Sequence, residues 1–239
     1  MTLARTVILT TLLAACGDDG GNGPADAAFV PVDIDNGSCG DQVRFTGEYV
    51  DWDETATSFC GIFGAVFEVD GGGAMDATAP NGRFDLCIPN EATTRLTVTQ
   101  PDDNSQCTTP PAAYTVPVIA VANRMFIQSG GFWSGRAWAA ERQASVFQQA
   151  GQAIDPTKAQ VFVHIDGPAR EVSLAAAHGT AQTHGSAGWA PGANGTDVFF
   201  PNVEVGGGTT ALSVTGGAIG TGDIPLVAGT ITSISVKTQ

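Results

Sequence analysis

Residues 81–99 read NGRFDLCIPNEATTRLTVT. Asn81-Gly82 accepts positive φ and marks a tight turn. In RFDLCI, Phe84, Leu86 and Ile88 alternate with other residues, which predicts a half-buried strand. Pro89-Asn90 ends that strand, because proline cannot donate to a sheet. TTRLTVT then begins a second strand with Leu96 and Val98 on its core face. Residues 194–215, NGTDVFFPNVEVGGGTTALSVT, repeat the order: Asn194-Gly195, a short apolar strand, Pro201-Asn202, a turn, and TTxLxVT. Two such strand–turn–strand units, one in each half, predict two related β domains.

Composition agrees. The chain has 239 residues, 43% hydrophobic, only 14% charged, with 31 glycines. Few charges and many glycines suit an exported β-rich protein. The net charge of −14 argues against nucleic acid, where binding rests on Lys and Arg neutralising phosphates. The charge is also uneven. Residues 17–110 carry 17 acidic residues against Arg44, Arg83 and Arg95, whereas residues 111–239 carry seven acids against six bases.

The first copy with its preceding residues, ATAPNGRFDLCIP, resembles the carboxypeptidase regulatory-like domains, which are small transthyretin-like β-sandwiches. Gly82, Phe84, Leu86 and Ile88 fit that family's signature, and VFFPNVEVGGGTTALSV resembles its second half. The resemblance implies two antiparallel sandwiches. It also implies accessory modules that carry no catalytic residues and need no cofactor.

At the amino terminus, Arg5 precedes an apolar run, Thr6–Leu13, far shorter than the roughly 20 residues that span a bilayer. This is the layout of a secretory signal. Leu13-Ala14-Ala15-Cys16 resembles a bacterial lipobox, which implies cleavage before Cys16 and a lipid on its sulfur. Gly17 after the cysteine implies the outer membrane by that family's sorting rule. Residues 17–28, GDDGGNGPADAA, read as a solvated tether reaching at most about 40 Å.

Cys39, Cys60, Cys87 and Cys107 remain, an even number that reads as two disulfides in an exported chain. Three pairings are possible. In FCGIFGAVF, Phe59, Phe63 and Phe67 share a face and Cys60 lies opposite, as Cys87 does in RFDLCI. That alternation favours Cys60–Cys87 and, by elimination, Cys39–Cys107. No C-x-x-C spacing points to zinc.

Between the copies, YTVPVIAVANRMFI (114–127) is an apolar run that would complete the first sandwich. Ala140, Ala144, Phe147 and Gly151 recur at helical spacing, predicting a helix over about 135–150 that ends before Asp155-Pro156. QVFVHI (160–165) starts a new strand. The expected organisation is a signal peptide over 1–15, a tether over 16–30, a disulfide-bearing β-sandwich over 31–130, a helical connector over 131–158 and a second β-sandwich over 159–239.

Chemistry-bearing residues are sparse. His164 alternates with Phe162 on a strand. His178 and His184 lie in HGTAQTHGSAGW, where a metal-dependent hydrolase would use them. Ser186 lacks the Gly-x-Ser-x-Gly elbow of a nucleophile. Asp33, Asp35, Asp41, Asp51, Asp53, Asp70, Asp76 and Asp85 offer calcium hard oxygen ligands, without an EF-hand pattern. Trp52, Trp133, Trp138 and Trp189 offer sugars stacking surfaces, but their spacing reads as core. The expectation is a non-enzymatic, lipid-anchored envelope protein, periplasmic or surface-exposed, with a protein or carbohydrate partner and no metal. The alternatives are a calcium-stabilised or carbohydrate-binding adhesin, and a hydrolase built on His178 and His184.

Overall fold

The computed structural model describes residues 39–51, 60–101 and 113–238. All of them fall in one compact unit, Pro31–Gln239. The expected signal segment, Cys16, the expected tether and Cys107 lie outside the described residues.

The first half runs β1 (Val43–Asp51), β2 (Cys60–Gly61), β3 (Val66–Val69), β4 (Met75–Ala77), β5 (Arg83–Ile88), β6 (Thr93–Thr99) and β7 (Val118–Asn123). Helix α1 (Arg124–Gln128), strand β8 (Trp133–Arg136) and helix α2 (Ala140–Gln149) follow. The second half runs β9 (Ala159–Asp166), β10 (Arg170–Leu174), β11 (Gln182–Gly185), β12 (Gly188–Pro191), β13 (Asn194–Gly195), β14 (Asp197–Val203) and β15 (Thr209–Val214). It ends with β16 (Ala218–Ile219), β17 (Gly222–Pro225) and β18 (Ile231–Thr238).

A ten-stranded sheet runs through both halves in the order β12-β11-β14-β9-β18-β7-β6-β3-β4, with β16 paired to β18. Its centre is parallel: β18 pairs with β7 on one side and β9 on the other. Strands there are covered on both faces, so they read as continuous apolar runs. On β9, Val161, Val163 and Ile165 enter one core while Phe162 enters the other. On β14, Val198 and Phe200 face one core and Phe199 the other.

One face is covered by a four-stranded sheet, β2-β1-β5 with β8 alongside β1, and by α2. Here Phe67 stacks on Phe84 at 4.1 Å, and Trp133 meets the rings of Phe45, Phe67 and Phe84 at 5.6–6.1 Å. The opposite face is covered by β13-β10-β15-β17, whose Val172, Leu212, Val214 and Ile224 close the second core. Sheet packs on sheet in both halves. The expectation of two separate sandwiches joined by a helix is corrected, because β18 stitches the halves into one sheet. The predicted connector also differs. Trp133–Arg136 is a strand parallel to β1, and the helix begins only at Ala140.

The two repeat copies form strands where expected, but neither is a hairpin. β5 lies in the covering sheet and β6 in the large one. In the second copy the layers are exchanged, with β14 in the large sheet and β15 in the covering one. Pro89 ends β5 as its chemistry requires. Pro201-Asn202 does not end β14; it forms a bulge within it, with Asn202 at φ +50°. Asn202 accepts from the Asp155 amide at 3.0 Å and donates to the Ala153 carbonyl at 2.9 Å, which holds the bulge.

The disulfide pairing is corrected as well. Cys39 bonds Cys87, not Cys107. β1 runs antiparallel to β5 with Arg44 opposite Cys87, which brings the residues just before β1 beside that cysteine. Cys60 is also disulfide-bonded. Alternation along one strand tells which face a cysteine occupies, not which strand lies beside it. Phe63, expected in the core beside Phe67, sits in the turn after β2 and is exposed.

Candidate functional site

Among the described residues, a group of polar side chains linked across layers sits on the face of the large sheet that β8 covers. Asp197 on β14 faces His164 on β9, with His164 Nδ1 2.7 Å from Asp197 Oδ1. Arg136 descends from β8, donates from Nη2 to Asp197 Oδ2 at 3.3 Å, and lies 5.9 Å over the Phe162 ring. Its Nη1 donates to Ser134 Oγ at 2.7 Å, and that hydroxyl donates to Glu48 at 3.1 Å. Ser134 also exchanges bonds with Ser235, which lies opposite His164 on β18: its amide donates to Ser235 Oγ at 3.0 Å, and Ser235 Oγ donates to the Ser134 carbonyl at 3.3 Å.

Burial pushes the Asp197 carboxyl up, but it is outweighed. The His164 hydrogen bond, then the charges of Arg136, His164 and His184, hold it at about 2. Asp197 therefore stays ionised as the shared counter-ion of the group. Asp197, His164 and Ser235 lie side by side on adjacent strands, the residue types of a hydrolytic triad. However, Ser235 is 1% exposed and its hydroxyl is spent on Ser134. A nucleophile needs access and a base acting on it. The arrangement instead fastens the β8 layer to the large sheet.

A second linked group lies under α2. Asp51, at the end of β1, is fully buried; it accepts from the Tyr114 hydroxyl and pairs with Arg142 of α2. Burial pushes the Arg142 guanidinium down to about 10. Beside it, the Gln100 carboxamide oxygen accepts from the Tyr49 hydroxyl at 2.7 Å and the Trp138 amide at 3.0 Å. Burial, then the neighbouring Tyr114, raises Tyr49 well above the usual tyrosine range.

The histidines expected to act together do not converge. His178 packs on Phe200, 4.8 Å between rings, on one face of the large sheet. His184 packs on Trp189 at 5.1 Å on the other. It is His164, read only as a strand residue, that stands with His184 around Asp197. Of the aspartates offered to calcium, Asp33, Asp35 and Asp53 lie outside the described residues; among the others Asp70 pairs with Arg95, Asp85 with Arg44 and Asp51 with Arg142, and Asp76 accepts from the Asp85 amide at 2.9 Å. Among the described residues no group of three or more His, Cys, Asp and Glu is placed to hold a metal ion. Trp133 and Trp138 are buried core, and Trp189 nearly so, which removes them as sugar-stacking surfaces. Trp52 lies outside the described residues.

No family model matches the chain, and no curated protein does. Among solved structures, it is similar to the Bacillus anthracis TIE protein at 11% identity, with a TM-score of 0.22. That match covers 82% of this chain and 34% of the other.

Proposed function

We propose that the chain is a lipid-anchored protein of the cell envelope, held at the outer membrane through Cys16, whose β layers serve as a non-enzymatic binding, adhesion or structural module. Each half is read as a transthyretin-like unit of the carboxypeptidase regulatory-like kind, the two fused through a common sheet. The observation that carries the non-enzymatic reading is the closed Arg136–Asp197–His164 group. Its carboxylate and its neighbouring serine are committed to contacts between layers rather than turned toward a substrate. The anchor reading rests on Leu13-Ala14-Ala15-Cys16. Several acyl chains on one cysteine hold durably where one would not. The partner is expected to be a protein or a carbohydrate.

Intact-mass measurement of the exported protein, with and without Cys16→Ala, tests the anchor. The expected wild-type mass is that of the chain from Cys16 plus acyl groups, and the variant lacks both the cleavage and the lipid. An unlipidated mature wild type would overturn it.

A further inference from the structure

We propose that Thr157 guards the Asp155–Pro156 peptide bond against acid scission, and so keeps the two halves one covalent chain. Residues 150–158 connect α2 to β9. Pro156 and Thr157 are exposed there, so water and acid reach the bond. An aspartyl-prolyl bond carries its own nucleophile. A side-chain carboxyl oxygen of the aspartate attacks its own backbone carbonyl carbon and closes a five-membered anhydride. The C–N bond breaks as the proline nitrogen, part of a tertiary amide, takes up a proton and leaves as an amine. Water then opens the anhydride, giving a new carboxyl end at Asp155 and a new amino end at Pro156.

In the fold that nucleophile is occupied. Asp155 Oδ1 accepts from the Thr157 amide at 2.9 Å and from the Thr157 hydroxyl at 2.6 Å. The Lys158 amide donates to the Asp155 carbonyl at 3.1 Å, and the Asp155 amide donates to Asn202 Oδ1 at 3.0 Å, so the backbone is held on both sides of the side chain. A carboxylate tied by two such bonds is a weaker nucleophile and does not turn freely onto the carbonyl carbon. The scission also needs one proton more than the ionised side chain carries. The Thr157 hydroxyl, then its amide, hold the Asp155 carboxyl below the usual carboxylate range, which withholds that proton. A cut here would leave the halves in contact. β18, after the cut, pairs with β7 before it, and Trp138 and Phe147 pack on Phe199 across it. All five cysteines precede the bond, so no disulfide within the chain joins the two pieces.

Intact mass under denaturing conditions reads the scission, as a fragment beginning at Pro156, in chains held at about pH 3, just below the ordinary aspartate range. The folded wild type is expected to be cut slowly. Thr157→Val, which loses the hydroxyl bond, is expected to be cut about tenfold faster. Thr157→Ser keeps the hydroxyl and should be cut at the wild-type rate. Circular dichroism at the same pH checks that each variant is folded, as the exposure of position 157 leads one to expect. The wild type unfolded in urea at that pH needs no variant and should be cut at least as fast as Thr157→Val. Equal rates for the folded wild type and Thr157→Val would overturn the proposal, as would an unfolded wild type cut no faster than the folded one.

Discussion

His164 and Asp197 face each other across β9 and β14, imidazole Nδ1 to carboxylate oxygen at 2.7 Å, and Arg136 reaches the same carboxylate from a different layer. One largely buried anion thus answers two strands and a covering sheet. Its titration should be visible in the stability of the whole protein.

A carboxyl held at about 2 in the fold, against about 3.9 in the unfolded chain, adds roughly 2 kcal/mol of stability. The folded value is depressed, so that contribution is fully present above about pH 4 and is lost as pH falls toward 2. Denaturant midpoints measured from pH 7 to pH 2 should fall across that window for the wild type. Asp197→Asn should start lower and fall less steeply. Equal slopes would show that Asp197 is not the titrating group.

Arg142→Met removes the cation beside the fully buried Asp51. Breaking a buried pair from one side leaves an uncompensated charge, so a loss of about 3–5 kcal/mol is expected. Asp51→Asn with Arg142→Met should cost less than the two single changes summed. Urea unfolding of the four proteins gives the coupling energy, and strict additivity would remove the pair from the account.

A methyl group at Gly47 would stand 2.5 Å from the Trp133 carbonyl oxygen and 2.7 Å from the Phe84 ring. β1 and β8 can lie this close only because position 47 has no side chain. Gly47→Ala is expected to destabilise by at least about 1–3 kcal/mol. Gly185→Ala, with nothing within 4 Å of the added carbon, should change stability by less than about 0.5 kcal/mol. Thermal melts of the two variants decide it.

Proteolysis under non-reducing conditions, followed by mass spectrometry, should yield a peptide pair joined through Cys39 and Cys87 that separates on reduction. A Cys60–Cys87 pair would restore the pairing that strand alternation favours.

Local patterns made the strands legible and left their partners hidden. RFDLCI and TTRLTVT alternate because each has one core face, and both lie where the pattern puts them. VIAVAN and AQVFVHID show apolar runs because β7 and β9 are covered twice. The runs were readable, but nothing in them says that β18 lies between them. Parallel pairing across the length of a chain leaves no turn residue to mark it. The Asp197 group was hidden for the same reason. His164, Asp197 and Arg136 come from three separated segments, and Arg136 lay in a stretch whose spacing suggested a helix. His178 and His184 are close in sequence, yet a sheet runs between their rings.

β18 follows every other described strand in chain order, yet it occupies the middle of the large sheet. Neither half can complete its central pairing while Ile231–Thr238 is still being synthesised. The two halves are therefore bound to a common clock. Strand β18 decides when both close, and a chain cut before Ile231 would leave β7 and β9 with bare inner edges.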